Sequence, residues 1–284
     1  MSLNHNLLGK EYPPQDYGVT EEAIIKYARA YNEDNSWFLD ASRPGGVIAP
    51  PMFGVVMSWL PLMLIVTDSE LGVDLLRLLH SAQDMYFYQL VIPGDIVTSA
   101  ARISAIEEKS TGESFTVEVT CTNQRGELVQ RILFTAFIRK RNSRGKFPER
   151  VVEATPSGEP LLQVCQGTDV DQTYRYAEAS GDHNPIHTDE SVAKLAGLPG
   201  IIMPGLCTMA FTSKVMIDRL CGHDPRRLKR LRARFSRPVS PGQAITTAVW
   251  PGLDREGLKV YTYETYNPKG EAVIKGGVAE VAAS

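Results

Sequence analysis

The stretch Arg175–Asp189, RYAEASGDHNPIHTD, lies without a gap on Lys26–Asp40, KYARAYNEDNSWFLD. Tyr27/Tyr176, Ala28/Ala177, Ala30/Ala179, Asn35/Asn184 and Asp40/Asp189 are identical, at an offset of 149. Three further blocks follow in the same order. GVIAPPMF (Gly46–Phe53) lies on GIIMPGLC (Gly200–Cys207) at an offset of 154. IPGD (Ile92–Asp95) lies on SPGQ (Ser240–Gln243) at 148, and TNQRGELV (Thr122–Val129) on YNPKGEAV (Tyr266–Val273) at 144. Ordered blocks at nearly constant offset make the chain two copies of one unit. Residues 1–145 form the first unit and 161–284 the second. The linker, 146–160, belongs to the polar, basic run from Arg139 to Pro160.

Each copy reads as an α+β unit. In the second, Thr168 and Asp171 resemble a capping box, with Val170, Thr173, Tyr174 and Ala177 at helical spacing. The Asn184-Pro185 pair breaks this helix, because the residue before proline avoids the helical region. An apolar helix starts near Pro204 and carries Leu206, Met209, Ala210, Val215 or Met216, and Leu220. Strands are expected at Leu231–Pro238, Ala244–Trp250, Lys259–Tyr266 and Ala272–Val281, alternating as an antiparallel sheet does. The pattern predicts a sheet wrapped on the apolar helix.

Composition narrows the functional classes. With 43% hydrophobic residues the chain can build a core, and disorder or a coiled coil is excluded. A net charge of −3 argues against a whole-chain nucleic-acid binder. Cys121, Cys165, Cys207 and Cys221 have no CxxC spacing and read as reduced thiols of a cytoplasmic protein. The opening MSLNHNLLGKEYPPQ lacks the pattern of a signal peptide. Val47–Val66 is uncharged and long enough to span a bilayer, but three prolines interrupt it and no basic flank orients it. It reads as buried core. No GxGxxG, Walker or HExxH motif occurs, so neither a metal nor a nucleotide cofactor is expected.

The chemistry concentrates in Ser180–His187, SGDHNPIH. Asp182 and His187 can both move protons, and a carboxylate beside a histidine suits acid–base work near neutral pH. Asn184 lies between them on a stiff Asn-Pro turn. In IMPGL (Ile202–Leu206) a proline leads into a helix, leaving the Gly205 N–H at a positive helix end. Such a donor suits a carbonyl oxygen that gains charge in a transition state. The sister copy carries Glu33, Phe38 and Pro51 at the positions of Asp182, His187 and Gly205. Phenylalanine cannot transfer a proton, and proline has no N–H. One active site per chain is therefore expected, in the second unit.

SGDHNPIHTD followed by GIIMPGLCTM resembles the hydratase-2 motif of the MaoC-like (R)-specific enoyl-CoA hydratases. The first unit is similar to the N-terminal dehydratase half of two-domain members. The resemblance implies a tandem hot-dog fold. It implies hydration of trans-2-enoyl-CoA, or dehydration of (3R)-hydroxyacyl thioesters, with Asp182 and His187 as the catalytic pair. Asn184 would support them and Gly205 would hold the thioester oxygen. Members often carry histidine before that glycine; here it is Pro204. The alternatives are a hot-dog thioesterase and a non-catalytic acyl-thioester or lipid-binding subunit. Coenzyme A or an acyl carrier protein would enter as part of the substrate. The basic run Asp224–Arg237, with Arg230, Arg232 and Arg234, would grip its phosphates or acidic surface. A solvated edge strand is the plainer reading. Trp37, Phe38, Phe53, Trp59 and Leu60 of the first unit would make room for an acyl chain, or merely fill the core. Two chains are expected to pair as a homodimer.

Overall fold

The computed structural model describes residues 2–75, 77–140 and 158–283. Of the expected linker, only Gly158–Pro160 falls within the described residues. The first unit contributes β1 (Glu11–Gly18), α1 (Glu21–Ala30), α2 (Ser36–Leu39), α3 (Gly54–Met57) and α4 (Trp59–Val66). It continues with β2 (Leu78–Phe87), β3 (Ile96–Lys109), β4 (Gly112–Asn123) and β5 (Leu128–Arg139). The second unit contributes β6 (Leu162–Gly167), α5 (Gln172–Ser180), α6 (Glu190–Leu195) and α7 (Gly205–Arg219). It ends with β7 (Leu228–Phe235), β8 (Ala244–Pro251), β9 (Leu258–Tyr266) and β10 (Ala272–Ala282). All four expected strands of the second unit are present within a few residues of their read limits. The expected α+β class holds.

The ten strands form one antiparallel sheet in the order β1-β3-β4-β5-β2-β7-β10-β9-β8-β6. Each half of that order mirrors the other, so the sequence repeat becomes a two-fold pseudo-symmetry about the β2–β7 junction. Repeated residues make repeated bonds. The Ile48 N–H donates to the Trp37 carbonyl at 2.9 Å, and the Ile202 N–H to the Ile186 carbonyl at 3.4 Å. Asn123 Oδ1 accepts the N–H groups of Arg125 and Glu127; Asn267 Oδ1 accepts those of Lys269 and Glu271. On the pseudo-axis α1 meets α5, and the hydroxyls of Tyr27 and Tyr176 lie 3.2 Å apart, fully buried.

The two central helices differ. α7 is buried along most of its circumference, from Leu206 to Ser213 and at Val215, Met216 and Ile217. A helix apolar all round is a core helix. Its counterpart is broken into a 3-10 turn (Pro51–Phe53), α3 and α4. Pro51 and Pro61 sit where helical N–H groups need no partner, and the Ser58 side chain caps neither piece. Thus the uncharged run Val47–Val66 is a broken helix within the sheet's wrap. No helix among the described residues is long and apolar enough to cross a membrane.

Two local expectations are corrected. Thr168 does not cap α5; its hydroxyl donates to the Gln243 carbonyl at 2.7 Å, tying β6 to the Pro241-Gly242 turn. Asp171 occupies the cap position without a side-chain bond. Val170 and Tyr174 are exposed, and the buried face is Thr173, Tyr176, Ala177 and Ser180. Thr173 and Ala177 face inward as expected, while Tyr176 and Ser180 take the places expected for Val170 and Tyr174, because the inward face is set by the Tyr27 contact.

At the junction Tyr86 pairs with Arg230 and Asp84 with Arg232. Arg230 donates to both Asp84 oxygens, at 2.8 and 2.7 Å, and to Glu280 at 2.9 Å. Its guanidinium lies 4.7 Å from the Tyr86 ring centroid. Removing it takes this guanidinium from the largely buried Asp84, while Glu280 keeps Arg255 at 3.1 Å, a loss of about 3–5 kcal/mol. Arg230→Leu should therefore lower unfolding free energy by that order in urea denaturation; an unchanged midpoint would show that the ion pairs are not structural.

Candidate active site

Asp182 and His187 lie on the connection between α5 and α6, and each local bond there is short range. Gly181 ends α5 in the left-handed region, at φ 83°. A Cβ there would also stand 3.3 Å from the Trp59 indole, so both backbone and space require glycine. The Asp182 N–H donates to Ser180 Oγ at 3.2 Å, and Asp182 Oδ1 accepts the Asn184 N–H at 3.3 Å. Asn184 Oδ1 accepts the Ile186 N–H at 3.4 Å, capping the 3-10 turn Pro185–His187. This turn carries the His187 side chain inward, where it is buried. Asn184 itself is exposed, so its visible work is to shape the turn.

The ring of His187 is fixed from behind. Nδ1 lies 2.8 Å from the Ile202 carbonyl oxygen. A carbonyl only accepts, so Nδ1 carries the hydrogen and Nε2 is the position that exchanges protons. Nε2 stands 3.8 Å from Asp182 Oδ2. That gap is too long for a direct hydrogen bond, and a water about 2.8 Å from both atoms would bridge it.

Ile202 also leads into the oxyanion candidate. Pro204 precedes α7 and Gly205 is its first residue. Among the described residues no acceptor takes the Gly205 N–H. It is one of the unpaired donors at the positive end of a long helix. The Phe235 ring covers the other side; a Cβ on Gly205 would meet it at 3.0 Å. Cys207, one turn in, is fully buried. Burial pushes its thiol far above the usual range; Arg175 opposes this and the Asp182 carboxylate adds to it. A neutral, enclosed thiol is no nucleophile.

The other expected substrate contacts are not brought to this loop. Arg230, Arg232 and Arg234 alternate with the inward residues Leu231, Ala233 and Phe235, which places them on the opposite face of β7. Arg230 is in addition held by Asp84 and Glu280. Trp37 lies between two guanidinium groups, Arg43 at 3.7 Å and Arg226 at 4.7 Å from the ring centroid. Phe53 is fully buried, edge-on to Tyr17 and Tyr27. Phe38 is likewise core, and Leu60 is exposed. Of the five aromatic and apolar candidates, Trp59 alone lines the narrow cavity beside the site. Other walls are Val55, Leu62, Phe134 and Leu206.

The first copy's equivalent loop is filled. Glu33 Oε1 accepts the N–H groups of Asp34 and Asn35, the second of these matching the Asn184 N–H that Asp182 accepts in the second copy. Lys214 of α7 then inserts, 3.2 Å from Glu33 and 3.2 Å from Asp218, with Asp34 also bonded. Burial pulls the Lys214 ammonium down, but Asp34, Glu33 and Asp218 more than offset it, and it stays charged. A fixed cation and Phe38 leave no proton-transfer pair here.

Sequence reasoning missed Ile202, Gly181 and Phe235. Ile202 carried a signal, since Ile48/Ile202 match in the repeat. Trp59 was among the acyl-room candidates, but its contact with Gly181 of the other unit was not foreseen.

Comparison with known proteins agrees with this fold. Residues 149–272 match the family described as MaoC like domain, and residues 6–132 match the FAS1-like dehydratase domain region. The chain belongs to the MaoC-like dehydratase family, in its double hot-dog form. It is 27% identical to the probable enoyl-CoA hydratase 2 of Dictyostelium discoideum, over 98% of this chain and 94% of that protein. It is 26% identical to the mouse peroxisomal multifunctional enzyme type 2, over 81% of this chain but only 31% of that longer protein. Among solved structures, a MaoC-like dehydratase from Phytophthora capsici superposes with a TM-score of 0.83 at 21% identity, covering 100% of this chain and 98% of that one. A Mycobacterium tuberculosis protein described as having a double hot-dog fold superposes at 0.59 with 10% identity, over 97% of this chain and 96% of that one. The family's hydro-lyase chemistry makes this chain an enzyme of that class.

Proposed function

We propose that the chain adds water across the double bond of trans-2-enoyl thioesters, or runs the reverse dehydration. The observation that carries this is the His187 ring, held by the Ile202 carbonyl with Nε2 3.8 Å from Asp182. Asp182 serves as the base and the His187 imidazolium as the acid. The Ile202 carbonyl supports that imidazolium through Nδ1–H. Water sits between the two groups. Its proton passes to Asp182 as its oxygen bonds to C3, and the Nε2 proton passes to C2. The π electrons move to the thioester oxygen and back, and the Gly205 N–H steadies that oxygen. Asp182 then returns its proton to His187 and the cycle closes. Because one water lies between acid and base, addition is syn. The names of relatives support the (R)-3-hydroxyacyl product and coenzyme A as carrier; an acyl carrier protein presents the same thioester. The chain's own residues supply the acid, base and oxyanion donor, so we assign no further cofactor.

Leu60 and Leu64 are exposed on one face of α4, one turn apart. We propose that a second chain covers them in a homodimer. A sedimentation mass near twice 31.4 kDa supports this, and the single-chain mass overturns it. The cytoplasm, a reducing compartment, suits the four free cysteines.

The direct test is the ultraviolet absorbance of crotonyl-CoA, which falls when the conjugated double bond is hydrated. Absorbance should fall with no release of free thiol. Asp182→Asn should slow it by about 10²–10⁴-fold while acyl-CoA binding persists. Thiol release would indicate a thioesterase, and binding without turnover a carrier subunit.

A further inference from the structure

The cavity beside the site is not uniformly apolar. Ser58 and Gln83 stand in a wall otherwise made of residues such as Val55, Leu62, Val119 and Ile132. Both are buried. Leu206, next after Gly205, and Trp59, which lies against Gly181, also line it, so the cavity abuts the catalytic loop. Its room is that of little more than one water molecule in the unliganded chain.

Gln83 is aimed into this space. Its Oε1 lies 3.1 Å from His80 Nε2, and the Ala82 carbonyl lies 3.0 Å from the same nitrogen. A carbonyl only accepts, so His80 Nε2 bears the hydrogen and donates to Gln83 Oε1. His80 is wedged between Phe134 and Phe235, with centroids at 4.2 and 4.7 Å. Burial lowers its pKa to about 4 and keeps it neutral. With its oxygen fixed, Gln83 turns its amide N–H groups the other way. Among the described residues nothing accepts them, and nothing pairs with the Ser58 hydroxyl.

The internal repeat supplies a control. At the offset of 148 that lays Ile92–Asp95 on Ser240–Gln243, the positions of His80 and Gln83 in the second unit are Leu228 and Leu231. Both leucines are buried with no polar partner to satisfy. The same fold thus accepts leucine at these positions, and packing does not require the His80–Gln83 pair. An amide N–H that faces a cavity without a protein acceptor is open to a bound oxygen atom.

We propose that Ser58 and Gln83 form a polar subsite in the acyl pocket. They recognise a keto or hydroxyl oxygen carried on the acyl chain beyond the enoyl carbons. The preferred substrates are then oxygenated enoyl thioesters rather than plain alkyl ones. This rests on the hydratase reading above.

The test compares kcat/KM for two trans-2-enoyl-CoA esters of equal length, one with a keto group along the chain and one without. Crotonyl-CoA, with no oxygen beyond its thioester, is the reference for hydratase activity. Wild-type protein should favour the keto ester by about tenfold or more, since a site built to bond an oxygen rejects the analogue lacking it. Gln83→Leu should reverse that order, and a cooperative thermal unfolding transition shows that the variant folds. Ser58→Ala should weaken the preference. Equal rates, or a preference for the alkyl ester in wild-type protein, would overturn the subsite while the hydratase stands. If wild-type protein does not hydrate crotonyl-CoA, the hydratase reading fails. The subsite is then read by thermal shift with saturated acyl-CoAs: larger stabilisation by the keto form keeps it, and equal stabilisation ends it.

Discussion

The antiparallel pairing of β2 with β7 is the constraint on which the rest of the molecule depends. It joins two five-stranded half-sheets into one and removes an exposed edge from each. It stacks Tyr27 on Tyr176 across the pseudo-axis and locks Arg230 between Asp84 and Glu280. It also brings Trp59 of the first unit against Gly181 of the second. The loop of Asp182 and His187 and most of the cavity beside it come from different units, and this junction helps to place them together.

Once two copies are joined, they are free to diverge. The second copy keeps Asp182, His187 and the Gly205 N–H. The first exchanges them for Glu33, Phe38 and Pro51, and Lys214 fills the place where chemistry would occur. That ion-pair cluster ties the first unit's loop to α7, so a lost site becomes a structural contact. The same freedom broke the first unit's central helix. α7 runs unbroken from Gly205, whereas its counterpart breaks at Ser58, which lines the cavity.

Much of this was legible before any coordinates. The repeat foretold a symmetric fold, because residues matched across copies make matched backbone bonds, as at Ile48 and Ile202. Asp182 and His187 could be paired because their turn is built by local bonds. What was hidden depended on the junction. The phase of α5 follows from Tyr27, and Val170 and Tyr174 were misjudged for want of it. The arginines of β7 looked like a phosphate grip, yet strand alternation places them on the sheet's other face. The partner of Arg230 lies 146 residues away in the chain. Gln83 gave no sign at all, since a lone glutamine in an alternating strand reads as solvent-facing.

The central claim is that two copies of one unit leave one working site. Calorimetric titration with a saturated acyl-CoA, which binds but cannot be hydrated, measures it most directly. The account predicts one molecule bound per chain, with Phe38→Ala leaving that ratio unchanged. Two molecules per chain would contradict it, for the first copy would then still bind the thioester.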